Sequence, residues 1–146
     1  MTHLANAVTI AMIEDDEGHA RLIEKNIRRA GVYNEILPFA DGASALAYLF
    51  DGGGDVAVKG QLLILLDLNL PDMTGVDILA KIKNDARLKC TPVIVLTTTD
   101  DAREIQRCYD LGANVYITKP LNYEGFANAI RQLGLFLSVI QVPKHE

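Results

Sequence analysis

The chain has 146 residues, of which 49% are hydrophobic and 23% charged, with a formal net charge of -5. This composition suits one domain with one packed core and excludes a disordered chain. The acidic balance argues against a general nucleic-acid binder, which needs basic surface to neutralise phosphates. Cys90 and Cys108 are too few for a disulfide framework and lack metal-ligand spacing, so we expect both to be reduced and at least half-buried.

The apolar runs are too short to cross a membrane, since none approaches the roughly 18 residues that a span needs. The first run, Val8–Ile13, lacks the basic flank of a signal peptide and ends at acidic residues. We therefore expect a soluble, cytoplasmic protein with no membrane or nucleic-acid partner. The expected organisation is an N-terminal arm (1–7), one domain (8–137) and a C-terminal tail (138–146).

The first half of the chain alternates short apolar runs with an amphipathic segment. Val8–Ile13 is predicted to be a strand. Glu17–Ala30 is predicted to be a helix, because its apolar residues recur at spacings of three and four. Gly31 stands where a helix-terminating glycine is expected. A second strand at about Glu35–Phe39 and a small helix at Gly42–Phe50 follow.

A glycine cluster precedes the third strand. Asp51–Asp55 contains three successive glycines, and we interpret it as part of a mobile loop that continues to Gly60 or Gln61. It is no nucleotide-binding loop, because it follows a helix and lacks the GxGxxG and GK[ST] patterns. The next run, Leu62–Leu66, is apolar at every position, as in a parallel strand covered on both faces.

The second half repeats the alternation of strands and helices. The predicted elements are a helix at Thr74–Asn84, a strand at Pro92–Leu96, a helix at Asp101–Leu111, a strand at Val115–Thr118 and a helix at Tyr123–Leu137. Thr74 is the expected N-cap of its helix, and Gly112 is expected to end the next one. Five strands alternating with five helices predict an open parallel α/β sheet with right-handed crossovers.

Polar residues gather at the ends of the predicted strands. Glu14 and Asp15 follow the first strand, Asp67 the third, Thr97 the fourth and Lys119 the fifth. Ligands of open α/β sheets bind outside the carboxyl ends of the strands, where the strand order reverses. In a flavodoxin-like order the first and third strands are neighbours at that point, which would place Asp15 within a few ångströms of Asp67.

This combination of side chains predicts phosphoryl-transfer chemistry. Closely spaced carboxylates repel one another unless a cation joins them. Mg²⁺ suits two carboxylates, a backbone carbonyl and several waters. Lys119 supplies a positive charge for Asp67 or for a phosphoryl group on it, and Thr97 supplies a hydroxyl donor. The histidines His3, His19 and His145 show no ligand spacing, and we assign them no chemistry.

The chain resembles the receiver domain of two-component response regulators. The matching segments, each at a predicted strand end, are Ile13–Asp16, Asp67–Pro71, Val95–Thr98 and Tyr116–Pro120. The resemblance extends from about Val8 to Leu137. It implies the flavodoxin-like (βα)5 receiver fold, with a five-stranded parallel sheet in the order 2-1-3-4-5 and helices on both faces.

The resemblance also implies a role for each matching residue. Asp67 would accept a phosphoryl group from a histidine kinase in a Mg²⁺-dependent reaction, assisted by Lys119 and Thr97. Thr97 and Tyr116 would form the conformational switch, and the Lys119–Pro120 bond would be cis. The implied metal ligands are Glu14 through water, Asp15, Asp67 and the backbone carbonyl of Asn69. The side chains of Asn69 and Thr99 would tune the lifetime of the phosphate.

A narrower resemblance is to the small regulators paired with bacterial phytochromes, which are red-light-sensing histidine kinases. It rests on the long segment before the third strand, on Thr97–Thr99, on Lys119–Asn122 and on the ending Leu135–Pro143. A phytochrome kinase is therefore the expected partner.

The last predicted helix and the tail carry more apolar residues than one stripe explains. The residues expected to pack on the sheet are Phe126, Ile130, Leu133 and Leu137. The residues that lie mostly off this stripe are Leu135, Phe136, Val139, Ile140 and Val142. Either the tail folds back on its own domain or it packs against a second copy, and we favour a symmetric dimer.

The expected output is protein–protein contact, because the residues after Pro120 suffice only for one helix and a tail. The protein would bind a target, pass its phosphoryl group to a histidine phosphotransfer protein, or act as a phosphate sink. We expect no enzyme activity beyond its own phosphorylation and autodephosphorylation.

Two alternatives to this function remain. One is a Mg²⁺-dependent phosphohydrolase with an aspartyl nucleophile, whose DxD pattern would need aspartate at Asn69. The other is a degenerate receiver that acts only as a binding module.

Overall fold

A computed structural model of the chain describes residues 8–119 and 123–137. Within them, strands and helices alternate along the chain. The elements are β1 Thr9–Ile13, α1 Glu17–Arg29, β2 Ile36–Phe39, α2 Gly42–Leu49, α3 Gly52–Val58, β3 Leu62–Leu66, α4 Gly75–Lys83, β4 Val93–Thr97, α5 Ala102–Leu111, β5 Val115–Thr118 and α6 Tyr123–Leu137. Thr74 caps α4 as predicted, and Gly31 and Gly112 adopt positive φ angles of 86° and 109° where α1 and α5 end.

The strands form one parallel sheet in the order β2-β1-β3-β4-β5, so the predicted fold class is confirmed. Ile13, the last residue of β1, pairs with Phe39 on one side and with Leu66 on the other. Thr97 at the end of β4 pairs with Thr118 of β5. All carboxyl ends therefore lie at one edge of the sheet, and the residues that follow β1 and β3 are neighbours there.

The sheet is covered on both faces, which explains why its central strands are apolar at every position. Leu62, Ile64 and Leu66 pack against α2, α3, α4 and α5. Leu63 and Leu65 point the other way and pack against α1 and α6. Each such side chain stabilises the fold by about 1.5–3 kcal/mol when it is fully buried. The predicted apolar stripe of α6 is confirmed, since its members Phe126, Ile130, Leu133 and Leu137 are at most 4% exposed.

The glycine cluster is helical, so its interpretation as a mobile loop was wrong. Gly52–Val58 forms α3, whose residue Ala57 is buried in the core. A Cβ on Gly53 would lie 2.7 Å from the ring of Tyr48, and one on Gly54 would lie 2.5 Å from the guanidinium carbon of Arg87. These glycines serve close packing, which a turn-residue pattern does not distinguish from a loop.

The two cysteines differ in their surroundings. Cys108 is buried in the core as expected, and burial raises the pKa of its thiol. Cys90 is exposed, so the expectation that it is at least half-buried was wrong. It lies in the turn between α4 and β4, where the sequence contains no periodic pattern from which burial can be read.

In the part of the chain that the structure describes, no helix is long and apolar enough to cross a membrane. The predicted arm (1–7) and tail (138–146) lie outside the described residues.

Candidate functional site

The candidate site lies where β1 and β3 end side by side. Glu14 and Asp67 directly follow these strands, and each is 6% exposed, whereas Asp15 is exposed to solvent. One carboxylate oxygen from each of these three residues lies within 4.8 Å of the other two. The structure thus brings together the three acidic side chains that the sequence singled out.

Asp67 is held by backbone contacts on both sides. Its amide donates to the carbonyl of Ile13 at 2.9 Å, and the amide of Asn69 donates to Asp67 Oδ1 at 3.0 Å. Behind it, α4 begins so closely that a Cβ on Gly75 would lie 2.4 Å from the Asp67 carbonyl oxygen. Glycine at this position therefore allows α4 to start directly behind the carboxylate.

Lys119 supplies the ammonium group of the described site, and this group contacts two of the three carboxylates. Its amide donates to the carbonyl of Thr97 at 2.7 Å, which fixes the chain after β5. Its Nζ donates to Asp67 Oδ2 at 3.1 Å and to the carboxylate of Glu14. The side chains are almost fully buried: 2% exposed for Lys119, 2% for Glu14 and 7% for Asp67. One ammonium faces three carboxylates, so the site remains net negative.

The electrostatics of Glu14 show that the site needs more positive charge. Burial, together with the nearby charge of Asp67, raises the pKa of the Glu14 carboxyl to about 7, although Lys119 opposes both effects. A buried carboxylate with so high a pKa takes up either a proton or a cation. The three residues offer only carboxylate oxygens as donors, which fits a hard divalent cation.

A cleft gives solvent access to this site from the side of Asp15. It has a volume of about 510 Å³ and is lined by Asp15 and residues 68–74. Asp72, in the same loop, accepts hydrogen bonds from the amides of Gly42 and Ala43 at 2.8 Å each. These bonds tie the loop after β3 to the start of α2 and lower the pKa of Asp72. The cleft is therefore open to a small phosphate donor, and the loop after β3 that lines it is held in position.

Asn69 connects the loop after β3 with the threonines that end β4. Its Nδ2 donates to the hydroxyls of Thr97 and Thr98, at 3.2 Å each, and lies 3.5 Å from that of Thr99. Thr97 is fully buried. Both residues that are expected to tune the phosphate lifetime, Asn69 and Thr99, thus lie beside Thr97.

Tyr116 reaches the same threonine segment from β5. Its hydroxyl donates to the carbonyl of Thr99 at 2.6 Å, and burial raises its pKa to about 12. Its amide donates to the hydroxyl of Tyr109 on α5 at 3.0 Å. Tyr109, which the sequence reasoning missed, therefore joins α5 to the edge strand of the sheet.

His19 was also missed, and it lies against Lys119. Its Nδ1 is 3.1 Å from Lys119 Nζ. In sequence it precedes Ile23 and Ile27 by four and eight residues, which places it on the inward face of α1. That spacing was the available signal.

The described structure does not test the predicted dimer interface or the predicted cis bond. Leu135 is 55% exposed on α6. The side chain of Phe136 lies outside the described residues, and so do Val139, Ile140 and Val142. Pro120 lies outside them too, so the cis Lys119–Pro120 bond stays a prediction.

The sequence from residue 10 to residue 131 matches the family described as the response regulator receiver domain. The chain belongs to this family. The receiver fold and the role in phosphorylation-based two-component signalling, both expected from the motifs, are therefore confirmed. Receiver domains bind a divalent metal and typically serve signalling rather than classical enzymology, and a sensor histidine kinase is the implied partner.

Solved structures of similar proteins place this receiver domain close to the phytochrome response regulators. A receiver domain from Rhodospirillum rubrum is 70% identical, with a TM-score of 0.89 over 95% of this chain and 99% of that one. The phosphorylated cyanobacterial phytochrome response regulator RcpA is 37% identical, with a TM-score of 0.82 over 94% and 99%. Response regulator Rcp1 of Synechocystis is 33% identical over 92% of each chain. Its Mn²⁺-bound crystal structure has a TM-score of 0.83 and covers 93% of this chain and 99% of that one.

Proposed function

We propose that this receiver domain accepts a phosphoryl group from a sensor histidine kinase on Asp67, in a Mg²⁺-dependent reaction, and signals through protein–protein contacts. One observation carries the proposal. The buried Asp67 carboxylate lies 3.1 Å from the Lys119 ammonium and within 4.8 Å of two further carboxylates, beside an open cleft. This arrangement supplies a nucleophile, a positive charge and a cation-binding donor set at one point.

In the proposed transfer, an Asp67 oxygen forms a bond to phosphorus while the bond between phosphorus and the kinase histidine breaks. The electron pair of that bond stays with the imidazole, which takes up a proton. Lys119 holds positive charge beside the developing phosphoryl oxygens, and the Thr97 hydroxyl donates to one of them after it leaves Asn69. Glu14 keeps the lysine ammonium in place.

The metal would be held by the carboxylates of Asp15 and Asp67 and by the backbone carbonyl of Asn69, and Glu14 would hold it through water. When bound, it offsets the negative charge of the carboxylates and of the phosphoryl oxygens. Mg²⁺ is the proposed ion because every donor is oxygen. The Mn²⁺ in the Rcp1 structure supports the proposal, since Mn²⁺ favours the same carboxylate, carbonyl and water ligands.

The proposed switch uses two contacts that meet at the threonine segment. Thr97 accepts a hydrogen bond from Asn69, and Tyr116 donates one to the carbonyl of Thr99. If the Thr97 hydroxyl turns to a phosphoryl group on Asp67, it gives up the contact with Asn69. Tyr116 is then released or drawn inward with the segment. The surface of β4, α5 and β5 would change between two states, biased by one modification.

The proposed partners follow from the relatives. RcpA is a phytochrome response regulator, and a red-light-sensing histidine kinase is accordingly the proposed phosphoryl donor, acting in the cytoplasm where ATP and Mg²⁺ are available. A histidine phosphotransfer protein is a further proposed acceptor, with the receiver as intermediate or phosphate sink. We also propose a homodimer through α6 and the tail. A Leu135→Glu protein that sediments like the wild type would contradict this interface.

The proposal is tested by intact mass after incubation with acetyl phosphate, with and without Mg²⁺. The wild type should gain one phosphoryl group only when the metal is present, and Asp67→Asn should gain none. Asp51→Asn is the matched control, because Asp51 is exposed and its side chain makes no capping hydrogen bond. It should behave like the wild type.

Three outcomes would contradict the proposal. One is an adduct on Asp67→Asn equal to that on the wild type. Another is multiple turnover of a small phosphoester, which would favour a phosphohydrolase. The third is a wild type that forms no adduct and binds no beryllofluoride, which would favour a binding module.

A further inference from the structure

We propose that His19 is a positioning residue for this chemistry: its Nδ1 accepts a hydrogen bond from the Lys119 ammonium and holds that ammonium against Asp67. The inference rests on the proposed function of Asp67, and it concerns a side chain on α1 that none of the matching motifs contains.

The Lys119 ammonium has three N–H donors, and the structure supplies three acceptors. They are the carboxylate of Glu14, Asp67 Oδ2 at 3.1 Å and His19 Nδ1 at 3.1 Å. A lysine has a flexible four-carbon stem, and contacts on three different elements restrict where its charge can lie. Without His19, a buried N–H would lose its partner, and the ammonium would be free to move away from Asp67.

His19 is itself held both at its backbone and at its ring. Its own amide donates to Asp16 Oδ1 at 2.9 Å, which fixes the residue in the first turn of α1. Its ring meets the ring of Phe126 edge-on, at 84° with 4.8 Å between centroids. Phe126 is 4% exposed, and Lys119 Nζ lies 5.6 Å from the centre of its ring. His19 and Phe126 thus contact each other and both lie near the Lys119 ammonium.

The contact determines which His19 nitrogen carries a proton. An ammonium group only donates hydrogen bonds, so Nδ1 must present its lone pair, and the ring must be the neutral tautomer with hydrogen on Nε2. A neutral acceptor satisfies the third N–H without adding a fourth negative charge to the site. The lysine charge therefore remains available to Asp67 and to a phosphoryl group on it.

Two substitutions separate the acceptor from the ring. His19→Phe keeps an aromatic ring against Phe126 and removes the acceptor. His19→Asn removes the ring and keeps an amide oxygen close to the place of Nδ1. Arg21→Ala is the control on the same helix, since the Arg21 side chain is 78% exposed. The measurement is the rate of phosphorylation by acetyl phosphate with Mg²⁺, followed by intact mass.

The positioning role predicts that His19→Phe is about tenfold slower, the size expected for losing a hydrogen bond to a charged group. His19→Asn should stay within about twofold of the wild type, and Arg21→Ala should match it. A purely packing role for the ring predicts the reverse order of the two His19 variants, and that order would overturn the inference. Equal rates in the wild type and His19→Phe would overturn it too, while leaving the proposed function of Asp67 intact.

A spectroscopic test needs no phosphorylation. Imidazole nitrogen chemical shifts in the wild type should report an unprotonated Nδ1 and a protonated Nε2 on His19, and Lys119→Met should move the Nδ1 shift. The opposite tautomer, or an Nδ1 shift that ignores Lys119→Met, would refute the contact itself. A wild type that forms no adduct and binds no beryllofluoride would instead refute the proposed function of Asp67.

Discussion

Replacing Lys119 with methionine tests the electrostatic design of the site. The substitution keeps the length of the side chain and removes a buried positive charge that contacts Glu14 and lies 3.1 Å from Asp67 Oδ2. At that distance, and with an effective dielectric constant of about 20, the attraction to one carboxylate is about 5 kcal/mol. Desolvation of the charges opposes it, and removing one partner of a buried pair typically costs about 3–5 kcal/mol.

We expect Lys119→Met to lower the free energy of unfolding by about 3 kcal/mol, the lower end of this range. The pKa of Glu14 is already about 7, so this carboxyl can take up a proton and relieve part of the repulsion. The assay is urea unfolding at about pH 8 with a chelator present, where proton uptake helps least. Lys25→Met, at an exposed lysine of α1, is the matched control and should change stability by less than about 0.5 kcal/mol.

A second substitution tests whether the loss of stability in Lys119→Met comes from repulsion between the carboxylates. Glu14→Gln removes one of the two carboxylates that Lys119 contacts, so the double variant should recover at least about 1 kcal/mol relative to Lys119→Met alone. Added Mg²⁺ should raise the unfolding midpoint of Lys119→Met more than that of the wild type, because the metal replaces the missing charge. Two results would show that Lys119 does not stabilise the carboxylates. One is a Lys119→Met protein that is as stable as the wild type in chelator. The other is strictly additive effects of the two substitutions on the free energy of unfolding.

Three further predictions concern the surroundings of the site. Asn69→Ala should still be phosphorylated, because the proposed metal ligand at this position is the backbone carbonyl, which the substitution keeps. The adduct, followed by mass, should decay at a changed rate, and loss of the adduct altogether would contradict this. Tyr116 has its pKa raised to about 12, so the folded state binds the phenolic proton more tightly than the unfolded state. Stability should therefore fall as pH rises from about 10 towards 12 in alkaline urea titrations, and less so in Tyr116→Phe. Gly75→Ala would place a Cβ 2.4 Å from the Asp67 carbonyl oxygen and should lower the free energy of unfolding by about 1–3 kcal/mol, with slower adduct formation; an unchanged thermal midpoint would count against the close approach.

The strands and the positions of the acidic residues were predictable because they follow from local pattern. Leu62–Leu66 is apolar at every position and only five residues long, which is the pattern expected of a strand covered on both faces. Its end at Asp67, together with the parallel order, places Asp67 beside Glu14. The helix termini at Gly31 and Gly112 were predictable for the same local reason, since glycine adopts a positive φ at little cost.

The features that were missed depend on contacts distant in sequence. Gly53 and Gly54 lie in a helix that packs closely against Tyr48 and Arg87, and Arg87 is in the turn after α4, more than 30 residues away. His19 lies beside Lys119 because the first turn of α1 and the residue that follows β5 meet at the carboxyl edge of the sheet. The spacing of His19 to Ile23 and Ile27 indicates the inward face of α1, but the contact with Lys119 can be inferred only once the sheet order is known.

Asp67, rather than a neighbouring acidic residue, is proposed to carry the phosphoryl group. Borohydride reduces an acyl phosphate of aspartate to homoserine, so treatment of the phosphorylated protein followed by peptide sequencing by mass spectrometry identifies the modified residue. We expect homoserine at position 67 only after incubation with both acetyl phosphate and Mg²⁺, and unchanged aspartate at Asp15 and Asp16 under every condition. Homoserine at Asp15 or Asp16, with Asp67 unmodified, would contradict it.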